Sequence, residues 1–183
     1  VAVTKDDINT DGTVKKENII KADGTVDLDK NTNSTPEGGK LYYVAVAIDS
    51  NGKLLDKQTG TVDVSYNETA DTTDKDATLK DGTATNPVDI KDNPNTATIG
   101  KVFTVDAVDD YYAEGDEKFE VTISTPDSTA QTTYGNSVSV DTSKNTVTST
   151  ITDNPSKINQ GTNTGNDDPT NGNYGEEDTV YAI

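Results

Sequence analysis

The sequence predicts an all-β chain, folded as an antiparallel β-sandwich. Three observations lead there. Short runs alternate apolar with polar residues, turn signals separate the runs, and no long stretch spaces its apolar residues as a helix would. A disordered chain of similar acid-, Thr- and Asn-rich composition has no reason to alternate.

Taken in order, a short helix is the expectation around Lys15–Lys21. Tyr42, Val44, Val46 and Ile48 then line one face of a run at 41–48, and Val62, Val64 and Tyr66 do so at 61–66. Phe103, Val105 and Ala107 alternate with polar neighbours such as Thr104 and Asp106. Phe119, Val121 and Ile123 alternate with Lys118, Glu120 and Thr122, and Val147 and Ile151 with Thr146, Thr148 and Thr150. Ser50-Asn51-Gly52, Asp81-Gly82, Asn93-Pro94, Pro126-Asp127 and Asn154-Pro155 mark turns between these strands.

Composition narrows the function. The 183 residues carry a net charge of −18, and every basic residue is Lys. An acidic surface without Arg repels a phosphate backbone, so nucleic acid is not an expected partner, and anionic membrane is disfavoured likewise. No apolar run approaches the roughly 20 residues that span a bilayer. With neither His nor Cys, no Ser/His/Asp or Cys/His arrangement exists, and Zn²⁺ and Cu²⁺ lack their preferred ligands. Paired carboxylates serve glycosidases, but these are clustered with no Trp to stack on a sugar, so no enzyme is expected. No signal peptide and no initiator Met is visible, which fits a mature chain or a fragment. Without disulfides, a secreted domain needs another staple, and a bound metal is the usual one.

The organisation reads as a piece of a tandem array. "GEEDTVYAI" at 175–183 parallels the opening of "EGGKLYYVAVAI" at 37–48 and stops in mid-strand; "VAV" at 1–3 supplies the continuation. "GTVDLDKN" at 24–31 likewise parallels "GTVDVSYN" at 60–67. Chance similarity between Val/Thr-rich strands is the alternative. The division expected is a hairpin region of a neighbouring or partial repeat at 1–35, a sandwich at 36–155, a polar linker or long loop at 156–175, and the first strand of the next repeat at 176–183.

One stretch points to chemistry. "DDYYAEGDEKF" at 109–119 holds Asp109, Asp110, Glu114, Asp116 and Glu117 at the mouth of a strand. Carboxylates this close repel by several kcal/mol at an effective dielectric near 20, unless a counter-ion intervenes. Hard oxygen ligands in this number suit Ca²⁺, which takes 6–8 oxygens in irregular geometry. The alternative is a solvated acidic loop, as most charge runs are.

"VDAVDDYYAEGDEKFEVTIS" at 105–124 resembles the signature of Calx-β domains: a strand, a double Asp, a bulky pair, an acidic element ending in Phe, then a strand. "DGTATNPVD" at 81–89 and "NTVTSTITDN" at 145–154 resemble the family's flanking elements in the right order. The resemblance covers about 36–155. It implies an Ig-like sandwich of Calx-β type, repeated in tandem, with Ca²⁺ held at one end. Carried over by position, it implies as ligands Asp109, Asp110, Glu114 and Glu117 in the central element, Asp89 upstream, Asp153 downstream and Glu37 near the first strand. Two departures matter. Asp153-Asn154-Pro155 stands in place of a run of Asp, and Ile90 replaces an aromatic, so one or two ions are expected rather than a full cluster.

A second candidate is "DINTDG" at 7–12, which fits the first half of an EF-hand-type loop through Asp7, Asn9 and Asp11. Its twelfth position is Asn18, not the bidentate acid the loop wants, and a hairpin turn explains the same residues. The function expected is a calcium-stabilised stalk or fibre segment of a secreted or cell-surface adhesin, whose partners are neighbouring repeats or subunits. Two alternatives remain: a module that holds a surface glycan or protein, and a subunit of a donor-strand-type filament.

Overall fold

The computed structural model describes residues 1–68, 90–109, 116–135 and 137–152. Its strands are β1 (Ala2–Val3), β2 (Thr32–Pro36), β3 (Lys40–Val44), β4 (Thr61–Glu68), β5 (Ile90–Lys91), β6 (Thr96–Thr98), β7 (Val102–Ala107), β8 (Glu117–Pro126) and β9 (Thr146–Thr152), with one short helix, α1 (Ser128–Tyr134). The strands form two sheets, in the orders β1-β3-β7-β5 and β2-β9-β8-β4-β6. The protein is therefore all-β, and no helix among the described residues is long and apolar enough to cross a membrane.

Both sheets feed one core. Leu41, Tyr43, Val105 and Ala107 come from the first sheet; Val64, Phe119, Val121 and Ile151 come from the second. Alternation delivers them, since residues two apart on a strand share a face. Ser149 also points inward and is fully buried. Its hydroxyl lies 2.7 Å from the Tyr43 hydroxyl and donates to Asn33 Oδ1 at 2.7 Å. A buried hydroxyl needs such partners, and burial pushes the Tyr43 phenol up to about 12.

Two expectations need correction. The strand pairs are not all antiparallel: β2 runs parallel to β9, with Thr32 opposite Thr148 and Pro36 opposite Thr152. The chain leaves β2 by crossing to the other sheet at Glu37–Gly39, so β2 must point toward that crossing, as β9 does. On β3, the face between the sheets is Leu41, Tyr43 and Ala45, not the face of Tyr42, Val44 and Val46. The second face is covered too, because Val3, Val14 and Ile19 pack on Val44 in a smaller cluster. A strand buried on both sides reads as a continuous apolar run, and periodicity cannot choose its face. β1 lies within the region expected at 1–35, and β2 runs across its boundary to Pro36.

The rest of the N-terminal region holds two like turns, and a third follows β3. "INTDGTV" (8–14), "IKADGTV" (20–26) and "IDSNGKL" (48–54) each close with a bridge between first and last residue: Ile8 to Val14, Ile20 to Val26 and Ile48 to Leu54. Gly12, Gly24 and Gly52 take positive φ of 81°, 84° and 79°, the conformation such tight turns require. The second turn pairs with the third, Val26 N–H donating to Gly52 O, and the first pairs with the β6–β7 connection, Val14 N–H donating to Gly100 O. Where a short helix was expected, the chain makes only a 3₁₀ turn at Lys16–Asn18.

Candidate functional site

Three of the expected acidic residues, Glu37, Asp109 and Glu117, lie at the end of the sheets opposite these turns. Glu37 begins the crossing from β2 to β3, and its N–H donates to Thr152 O at 3.0 Å, at the last residue of β9. Glu117 opens β8 opposite Ile151 of β9. Both glutamates flank the exit of β9, and they are only 5% and 4% exposed. Asp109 lies just beyond β7, and its Cβ is 3.2 Å from where a side chain on Gly38 would begin.

Two glycines make this arrangement possible. Gly38 has φ of 71°, and a Cβ there would press on Asp109. A Cβ on Gly39 would fall 2.0 Å from Thr35 Oγ1 and 2.8 Å from Pro36 O. The crossing thus has no room for larger residues, and it fixes Glu37 against the end of β9.

A buried carboxylate costs several kcal/mol unless charge or hydrogen bonds compensate it. Glu37, Asp109 and Glu117 each have a polar or electrostatic partner. The nearby Lys40 is committed to Asp106, gripping both of its carboxylate oxygens across the β3–β7 pair. Among the described residues no group of three or more acidic side chains stands close enough to share a metal ion. Of the other expected ligands, Asp89, Asp110, Glu114 and Asp153 lie outside the described residues. In sequence they adjoin or lie between the described chain ends at this pole: Ile90, Asp109, Asp116 and Thr152. The donor chemistry, carboxylate oxygens alone, fits a hard cation such as Ca²⁺.

Asp7, Asn9 and Asp11 sit at the opposite end, where their polar atoms serve the chain locally. Asp7 Oδ2 accepts from the Thr4 N–H and hydroxyl, and its Oδ1 accepts from Asn18 Nδ2 at 2.7 Å. Burial pushes the Asp7 carboxyl up, but these hydrogen bonds outweigh it and hold the group below its ordinary value. Asn9 Nδ2 donates to Thr13 Oγ1, and Asp11 Oδ1 accepts from the Thr13 hydroxyl and N–H. Asp23 repeats the Asp11 pattern with Thr25. This is the hairpin-turn geometry that the same residues suggest in sequence. The part sequence reasoning missed is the glycine pair behind Glu37, whose signal was the "EGG" at 37–39.

A scan of protein-family models and a search of curated proteins both return no match for this chain.

Proposed function

We propose that the chain is a calcium-stabilised structural repeat, a stalk or fibre segment of a secreted or cell-surface adhesin, with no catalytic role. The fold proposed is the Ig-like sandwich of Calx-β type, set in a tandem array. The observation that carries the reading is the pair of buried glutamates, Glu37 and Glu117, flanking the exit of β9. Solvated acidic loops do not bury their carboxylates, and in a chain of net charge −18 a bound cation would add to the partners these glutamates already have. No three described acids are grouped for an ion, so the ion would be held chiefly by Asp89, Asp110, Glu114 and Asp153, as expected from sequence, beside one or two of Glu37, Asp109 and Glu117. Bound there, Ca²⁺ neutralises the end of the sheets and ties residues that are distant in the chain.

Thermal unfolding with CaCl₂, and again with excess EDTA, tests this. Extracellular calcium modules bind at roughly 10⁻⁴–10⁻³ M. Free Ca²⁺ at about 10–100 times the dissociation constant then stabilises by about 1.4–2.7 kcal/mol per site. A clear rise in Tm with Ca²⁺, and little with Mg²⁺, is the expected result. Superimposable melts would reduce the buried glutamates to a structural feature and remove calcium from the reading.

A further inference from the structure

A cavity of about 160 Å³ opens between the two sheets at the turn end, lined by Ala45, Ala47, Ile99, Ile123, Tyr134 and Val140, with Val1 at its edge. An engineered apolar cavity of about 150 Å³ admits benzene, so this space is large enough to admit an aromatic side chain. It lies where β1 would continue. Val1 pairs with Val44 through Val1 N–H to Val44 O at 2.9 Å and Val44 N–H to Val1 O at 3.0 Å. Beyond that pair, β3 runs on as Ala45–Ile48 with nothing described beside it on the β1 edge. The Ala47 backbone turns the other way, to the side-chain amide of Gln58. Val46 faces the open edge, and no hydrogen bond joins its backbone to any described residue.

We propose that this slot accepts residues Val180–Ile183 of a second copy of the chain, in line with β1 and antiparallel to β3. The register follows from the pairs already made. Ala2 is opposite Tyr43 and Val1 is opposite Val44. A strand entering ahead of Val1 therefore sets Ile183 opposite Ala45, Ala182 opposite Val46 and Tyr181 opposite Ala47. Ala2, Tyr43, Ala45 and Ala47 belong to the face between the sheets, so Ile183 and Tyr181 point into the cavity. Large side chains thus meet the two alanines that leave it empty, and the small Ala182 meets Val46 on the other face. Side chains directly opposite on one face are in contact, which makes this size match the main source of specificity. Pairing supplies the edge hydrogen bonds that Val46 lacks.

Charge agrees with the geometry. The Val1 ammonium is buried, and burial pulls it down to about 6. An Ile183 carboxylate ahead of it would offset that cost by pairing with the ammonium. The inference rests on the structural-repeat reading in one respect, that copies meet head to tail; it does not involve calcium.

Hydrogen–deuterium exchange on the full chain tests it, with a synthetic peptide of residues 175–183 as the probe. The fragment carrying the Val46 amide should slow by about tenfold at peptide saturation, the effect of about 1.4 kcal/mol of added protection. A peptide with Tyr181→Asp and Ile183→Asp should leave it unchanged. No slowing, or equal slowing by both peptides, overturns the proposal. The full-length Ile183→Asp chain separates the remaining occupant. Protection that is present without peptide, lost in this variant and independent of dilution assigns the slot to the chain's own C-terminal segment, against a second copy. Protection that rises with chain concentration and is lost in the variant supports the second copy. Because the readout is exchange at Val46, it can fail while the Ca²⁺ melts succeed, or the reverse.

Discussion

At the turn end, Asp11, Asp23 and Asp49 each accept two hydrogen bonds from residues at most four positions away. At the other end, Glu37 and Glu117 are buried against β9, far from both in sequence. The same functional group thus meets two kinds of physics. A turn carboxylate is satisfied by its own loop, whatever the rest of the chain does. A buried end carboxylate is satisfied only by a finished fold, or by an ion the fold recruits. The first kind stabilises locally; the second would make stability depend on the solution if, as proposed, an ion binds there.

The largest effect expected is at the crossing that holds Glu37 in place. A methyl group on Gly39 would collide with Thr35 and with the Pro36 carbonyl. Gly39→Ala should cost about 1–3 kcal/mol, the usual penalty of overpacking, read as a fall in denaturation midpoint. A substitution at Gly24, with nothing within 4 Å of its Cβ but φ of 84°, should pay only the cost of its backbone conformation. Equal losses at the two glycines would mean that the crossing is no tighter than the turns.

Calcium separates the ends next. Glu117→Gln and Glu37→Gln should each remove most of the Ca²⁺-dependent stabilisation of about 1.4–2.7 kcal/mol. Asp11→Asn and Asp23→Asn should leave it whole. If the turn variants lose the response and the glutamate variants keep it, the ion belongs at the turn end, and the EF-hand-like reading of Asp7, Asn9 and Asp11 returns.

These two expectations show where sequence was legible. β4, β7 and β8 follow the alternation of Val62/Val64, Val105/Ala107 and Phe119/Val121, because each has one wet face. β2, "TNSTP", has no apolar residue and gave no signal; it is a strand only because β9 lies beside it. Ser149 broke the pattern of β9 while occupying its core face, since a hydroxyl satisfied by Tyr43 packs as well as an apolar group. α1 was hidden because its cap, Asp127 accepting from Ala130 N–H at 2.8 Å, looks in sequence like any Pro-Asp turn. At the site, the crowding of acids was plain in the sequence, but which of them are buried depends on strand ends that only the sheets bring together.

The turn end also holds the Val1 ammonium, and pH should reveal it. The Val1 amine falls from 8.0 to about 6 on folding, so between those values the unfolded chain binds more protons. Stability should therefore rise as pH goes from 6 to 8, by at most about 2.7 kcal/mol for a shift of two units, with a fraying terminus delivering only part of it. Adding Thr-Val-Tyr-Ala-Ile ahead of Val1 should flatten that slope. A slope unchanged by the extension would place its origin elsewhere.

The smallest effect belongs to a single turn. The Asp23 carboxyl is held below its ordinary value by the Thr25 hydroxyl and N–H. A depressed carboxyl contributes its full stability above the unfolded value, near 3.8, and loses it as pH falls through the folded one. Asp23→Ala removes the acceptor, whereas Asp23→Asn keeps a neutral one that can make the same turn. At pH 7 the order of Tm should be wild type, then Asn, then Ala. Under acid, wild type should approach Asn, because its carboxyl has become a neutral acceptor as well. The same series at Asp11 should behave alike, since its two bonds to Thr13 copy those of Asp23 to Thr25. Two matching series would show that each turn is satisfied by its own loop. A series at Asp11 that depends on Ca²⁺, while the one at Asp23 does not, would break the equivalence of the turns and with it the contrast between the two ends.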